Sequence, residues 1–123
     1  MNAAPVFLLV EPSPILRSSF HDWLDQVFAG HRILTAANGA EALKLAKDER
    51  PSHILIEIDL TKPTGVEVIQ EMRLILPDAK IIATGWYDSR FLRQNVLSAG
   101  ADEYIRKNKV PRELLPLWDL HLK

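Results

Sequence analysis

Every position of Val6-Phe7-Leu8-Leu9-Val10 is apolar, which predicts a short strand buried on both faces. Glu11-Pro12-Ser13-Pro14 then reads as a turn in which Ser13 caps a helix opened by Pro14, a position that needs no backbone N–H. Ile15, Leu16, Phe20, Trp23, Leu24, Val27 and Phe28 recur at helical spacing up to a stop at Gly30, with Arg17, Ser18, His21, Asp22 and Asp25 on the polar side. The same grammar repeats. Arg32 to Ala37 reads as a less apolar strand, and Asn38 with Glu41 three residues later caps a helix lined by Ala42, Leu43, Leu45 and Ala46. Pro51 breaks that helix, and Ile54-Leu55-Ile56-Glu57-Ile58 predicts a third strand, apolar except at Glu57. A loop through Pro63 and Gly65 leads to a helix bearing Val66, Val68, Ile69, Met72, Leu74 and Ile75, ended by Pro77. Lys80 to Thr84 is a fourth strand, Ser89 to Ala99 a fourth helix stopped by Gly100, and Glu103 to Lys107 a fifth strand. Pro111 opens a last helix that Pro116 should kink or shorten.

Five strand–helix alternations with little spare chain imply an α/β fold of parallel strands, right-handed crossovers and helices on both sheet faces. Such sheets bind ligands at the carboxyl ends of their strands. The residues predicted there are Glu11, Glu57 to Asp59, Thr84 and Lys107, so acids, a hydroxyl and a lysine should converge.

Composition narrows the function. The chain has 123 residues, enough for one domain, and its 47% hydrophobic and 25% charged content is that of a globular protein. A formal charge of −1 supplies no net field toward nucleic acid or an anionic membrane. Absence of cysteine excludes disulfides, thiol catalysis and cysteine-held metals. The apolar stretch from Ala3 to Val10 contains Pro5, ends at Glu11 and lacks a basic leader, so neither a signal peptide nor a membrane span is expected, and a cytoplasmic protein is. His21, His31, His53 and His121 show no metal-ligand spacing. No glycine-rich phosphate loop and no Gly-x-Ser-x-Gly elbow is present, which leaves a small α/β enzyme or a nucleotide or flavin binder as the alternative of a different class.

Three segments in register, Val10-Glu11 with Pro14, Asn38-Gly39-Ala40-Glu41-Ala42-Leu43, and Ala99-Gly100-Ala101-Asp102-Glu103-Tyr104-Ile105-Arg106-Lys107, are similar to those of bacterial response regulators. Over about residues 5–120 the chain resembles their receiver domain, the CheY-like module of two-component phosphorelay signal transduction. The resemblance implies a flavodoxin-like (βα)5 sheet in order 2-1-3-4-5 and one receiver-like domain over residues 1–123, with no output domain attached in this chain. It also implies partners, a sensor histidine kinase or other signalling protein upstream and an effector protein downstream; the charge balance leads us to expect no direct nucleic-acid or membrane contact.

In that family an aspartate ending the third strand accepts a phosphoryl group, paired acids after the first strand help hold Mg²⁺, and a lysine contacts the phosphoryl oxygens. A Ser/Thr ending the fourth strand and an aromatic on the fifth respond to the phosphate. Carried over by position, Lys107, Thr84 and Tyr104 match the lysine, hydroxyl and aromatic, and Glu11 matches the first paired acid. Pro12 stands where the second acid would be, and ungapped counting from Pro51 and Gly65 puts Glu57 at the acceptor position. A second register puts Asp59 there, on the family's spacing to Pro63, at the expense of a two-residue insertion and a compensating deletion before Gly65.

The first expectation is therefore a degenerate receiver, or pseudo-receiver, with Glu57 in place of the acceptor aspartate, acting through partner docking and not as an enzyme. The alternative is a working phospho-acceptor that uses Asp59 or Glu57 with Mg²⁺, the metal held weakly by Glu11, Glu57 and Asp59. Trp86-Tyr87 fall in the loop after the fourth strand, either as packing or as an exposed partner site. Arg106, Lys107, Lys109 and Arg112 form a small basic cluster, and Leu114, Leu115, Leu117, Trp118 and Leu120 are apolar enough to bury or to pair in a homodimer.

Overall fold

The computed structural model describes residues 4–120; Ala3 and His121, named above, lie outside the described residues. The elements alternate as β1 (Val6–Val10), α1 (Pro14–Val27), β2 (Arg32–Ala36), α2 (Gly39–Glu49), β3 (His53–Glu57), α3 (Gly65–Ile75), β4 (Lys80–Gly85), α4 (Arg90–Ala99), β5 (Glu103–Arg106) and α5 (Val110–Leu117), with a short 3₁₀ turn at Lys107–Lys109. All strand pairs are parallel, in the order β2-β1-β3-β4-β5.

Local chemistry explains the helix starts. The side chains of Ser13, Asn38, Thr64 and Ser89 each accept a hydrogen bond from the backbone N–H three residues on. Glu67 returns a contact to the Thr64 N–H, which completes a capping box. Gly65 is required by packing, since a Cβ there would collide with the backbone of Ile58.

Strand alternation divides the core in two. Leu8, Val10, Ile54, Ile56, Ile81 and Ala83 face α2, α3 and α4, whereas Phe7, Leu9, Leu55, Ile82 and Ile105 face α1 and α5. Trp118, just after α5, is fully buried against Phe7 and His53, and its indole N–H donates to the Ile54 carbonyl at 3.2 Å.

Several expectations need correction. β3 starts one residue early and ends at Glu57, with Ile58 outside it; β5 ends at Arg106, so that Lys107 opens the turn. Ile15 and Leu74, assigned above to apolar helix faces, are exposed because those faces are satisfied by Leu16, Phe20 and Leu24, and by Val68, Ile69 and Met72. Trp23 is only half-buried. In keeping with the sequence, Pro116 sits in a short α5 of eight residues, and Leu114, Leu115 and Trp118 are buried in the protein's own core.

Trp118→Ala removes a large buried ring and leaves the Ile54 carbonyl short of its donor. Urea unfolding is expected to show a loss of about 3–5 kcal/mol; a loss under about 1 kcal/mol would mean that the C-terminal segment is not part of the core.

Candidate functional site

The two-residue period that sorts the core also assembles the site. Glu11 continues the Phe7–Leu9 row, Glu57 follows Leu55, Thr84 follows Ile82 and Lys107 follows Ile105, all on the α1/α5 side at the carboxyl edge. Glu57 is the direct cross-strand neighbour of Thr84, and Glu11 comes one residue after Val10, the partner of Ile56. Glu11, Glu57, Thr84 and Lys107 are 3%, 4%, 1% and 6% exposed, and they are the buried polar side chains among the described residues.

Lys107 organises the group. Its Nζ lies 2.7 Å from Glu11 Oε1 and 3.4 Å from Glu57 Oε2. Both contacts are ion pairs, and Thr84 Oγ1 is buried beside them without a hydrogen-bond partner. The ammonium also sits 4.9 Å from the centroid of the Trp86 ring, a cation–π contact that closes the site from the β4–α4 loop. Glu11 is held from its other side: Oε2 accepts from the Ser13 N–H at 3.0 Å, and Arg17 donates to the Glu11 carbonyl at 2.8 Å. Arg17, placed by the sequence on the water-facing side of α1, thus fastens the loop that carries Glu11.

Burial pushes the Glu57 carboxyl up to about 7; Lys107 opposes the rise, and the negative charges of Glu11 and Asp59 add to it. Asp59 lies beyond the strand, exposed, and lines with Glu57 a surface cavity of about 260 Å³ that Trp86 and Tyr87 help to enclose. Trp86 is 56% and Tyr87 72% exposed, so the aromatic pair belongs to the loop surface and not the core. Tyr104 points inward on the opposite sheet face and donates its hydroxyl hydrogen to the Tyr87 carbonyl. A Cβ on Gly85 would come within 2.8 Å of that hydroxyl, which accounts for glycine there.

The expected Mg²⁺ site at Glu11, Glu57 and Asp59 is not assembled: among the described residues no group of three acids or histidines is placed to hold a metal ion. The physical reason is visible in the geometry. The Lys107 ammonium already stands against Glu11 and Glu57, Asp59 turns outward, and Pro12 offers no ligand. Glu11, Glu57 and Asp59 are thus not brought together as three ligands among the described residues. Of the basic cluster, Lys107 is buried in the site, Arg106 and Lys109 are half-buried and Arg112 is exposed on α5, a rim around one pocket lysine.

A doubly wound, flavodoxin-like sheet thus brings an acid, a hydroxyl and a lysine together at its carboxyl edge, the arrangement that the resemblance to receiver domains implies. The sequence profile of the response regulator receiver domain matches residues 7–118, and the chain belongs to that family, the receivers of two-component signal transduction. It is 36% identical over 89 residues to the alkaline phosphatase synthesis transcriptional regulatory protein PhoP of Bacillus subtilis, covering 70% of this chain and 36% of that protein. It is 32% identical over 108 residues to the response regulator MprA of Mycobacterium sp. (strain KMS), covering 88% of this chain and 46% of the relative. The chain thus spans less than half the length of these two relatives.

Among solved structures, the CheY-like receiver domain protein of Methanospirillum hungatei JF-1 superposes with a TM-score of 0.82 at 29% identity, covering 93% of this chain and 90% of that one. A response regulator from Burkholderia pseudomallei, solved with a phosphorylated aspartic acid, a calcium ion and citrate, gives a TM-score of 0.80 at 25% identity, covering 90% and 66%. No helix among the described residues is long and apolar enough to cross a membrane.

Glu57 sets a pH dependence. Between about pH 4.5 and 7 the folded protein keeps a proton that the unfolded chain has released, so stability is highest below that window and falls as pH rises through it. Urea unfolding across this range should show wild type losing stability relative to Glu57→Gln; parallel curves for the two proteins would contradict the burial of an ionising carboxyl.

Proposed function

We propose that this receiver domain signals by docking, with little dependence on phosphorylation. The observation that carries this reading is the Lys107 ammonium lodged between two buried carboxylates, Glu11 and Glu57. In a working site that lysine meets phosphoryl oxygens; here the longer side chain of Glu57 brings its own oxygen to the ammonium and imitates part of the phosphorylated state. In-line phosphoryl transfer is sensitive to placement, an ångström costing on the order of 10²-fold in rate. An acceptor with an extra methylene, a lysine already engaged and a proline in place of a metal-binding acid all work against acyl-phosphate formation. The inward Tyr104, tied to the β4–α4 loop through Tyr87, supports a switch held in one position.

The module on this reading is not an enzyme and receives no catalytic role; Glu11, Glu57, Thr84, Tyr104 and Lys107 form a fixed signalling site. Its partners are a histidine kinase or other signalling protein and a downstream effector, in the cytoplasm. The alternative, acceptance at Asp59, draws on the exposure of that carboxylate at the cavity mouth.

One experiment separates the two. The protein is incubated with acetyl phosphate or phosphoramidate and Mg²⁺, alongside a control receiver that is labelled, and its intact mass is measured. The expected result is an unchanged mass. Addition of one phosphoryl group, abolished by Asp59→Ala or by Glu57→Ala, would overturn the docking reading.

A further inference from the structure

The surface cavity of about 260 Å³ has features that a phosphoryl site does not call for. From the β3–α3 side it is lined by Glu57 and Asp59, and from the β4–α4 side by Trp86, Tyr87 and Leu92. Asp59 is exposed and makes no ion pair or hydrogen bond among the described residues. Glu57 is 4% exposed, and its cationic neighbour Lys107 stands closer to Glu11, at 2.7 Å, than to Glu57, at 3.4 Å. Two buried carboxyl groups, at positions 11 and 57, thus share a single ammonium, and Asp59 stands exposed at the cavity with no ion pair among the described residues. The aromatic lining already takes a cation, since Lys107 Nζ lies 4.9 Å from the Trp86 ring centroid, while Trp86 and Tyr87 keep 56% and 72% of their surface open.

We propose that this cavity binds the guanidinium of an arginine side chain presented by a partner protein. An anion entering here would meet Asp59 and Glu57, so charge complementarity selects a cation. A guanidinium suits the lining better than an ammonium. It is planar and weakly hydrated, it stacks on aromatic faces, and its N–H groups meet a carboxylate in parallel pairs. Asp59 supplies the accessible carboxylate, Trp86 and Tyr87 the stacking surface, and Leu92 the apolar wall for the methylene stem. The inference deepens the docking reading and rests on it for the identity of the occupant as a protein partner.

The test is a titration of the ¹⁵N-labelled full chain with acetyl-Gly-Arg-Gly-amide, followed at the Trp86 indole N–H and at the amides of Asp59 and Tyr87. Saturable shifts confined to this cavity are expected, with no response to the citrulline analogue, which keeps the shape and loses the charge. Asp59→Asn, whose fold is checked by unchanged resonances elsewhere, should weaken binding by roughly tenfold. Absence of saturation, an equal response to citrulline, full affinity in Asp59→Asn, or preference for acetyl-Gly-Glu-Gly-amide would overturn the proposal. The two readings fail separately: a phosphoryl adduct in the mass experiment with arginine binding intact removes the docking reading alone, and an unchanged mass without arginine binding removes this one alone.

Discussion

One ammonium shared by two buried carboxylates governs the carboxyl edge of this sheet. Removing a charge from water costs several kcal/mol per ion even after relaxation, so none of the three groups would sit there alone in ionised form. Lys107 and Glu11, 2.7 Å apart, satisfy one another first. Glu57, at 3.4 Å, is left with the smaller share of the cation and with the burial, and its carboxyl is pushed up to about 7. Trp86 covers the ammonium, Ser13 and Arg17 hold the loop of Glu11, and the β3–β4 pairing sets Glu57 beside Thr84. The geometry of the pocket is the answer to an electrostatic problem posed by three residues.

That answer bears on function. Receiver chemistry depends on a divalent cation to neutralise charge on a transferring group. In this chain a covalently tethered cation stands against both carboxylates, and Pro12 withdraws a ligand from the same loop. The domain keeps the family's sheet; on the docking reading its lysine, hydroxyl and inward aromatic serve recognition, while Glu57 and Pro12 stand where the groups that would serve transfer are expected. The charge left over falls on Asp59, at the mouth of a cavity walled by Trp86 and Tyr87, and gives the surface a chemistry of its own.

Most of the fold was legible because each element carries its own signal: apolar runs for the strands, Ser13, Asn38 and Ser89 at helix starts, glycine or proline at helix ends. Strand ends were less legible. Ile58 is apolar and extends the third run on paper, yet the ladder stops at Glu57, where the chain turns toward Gly65 and its tight approach to Ile58. Helix faces read from hydrophobicity alone overreached at Ile15 and Leu74, since nothing in a residue's own polarity says that a face is already full. Convergence of Glu11, Glu57, Thr84 and Lys107 was expected from their place at the carboxyl ends of the strands, and in the structure strand parity puts them on one face. What parity could not supply was the position of the lysine head: a long side chain swings through several ångströms, and its settling nearer Glu11 and beneath Trp86 depends on contacts between distant segments.

On the docking reading the Lys107 ammonium occupies the cation position of this pocket. Titration of the ¹⁵N-labelled protein with Mg²⁺ at neutral pH, followed at the amides of Glu11, Glu57, Asp59 and Lys107, addresses it directly. The account predicts only small, non-saturating shifts of the kind that salt produces. Saturable shifts at those four amides at millimolar Mg²⁺, with release of Lys107 from Glu11, would contradict it.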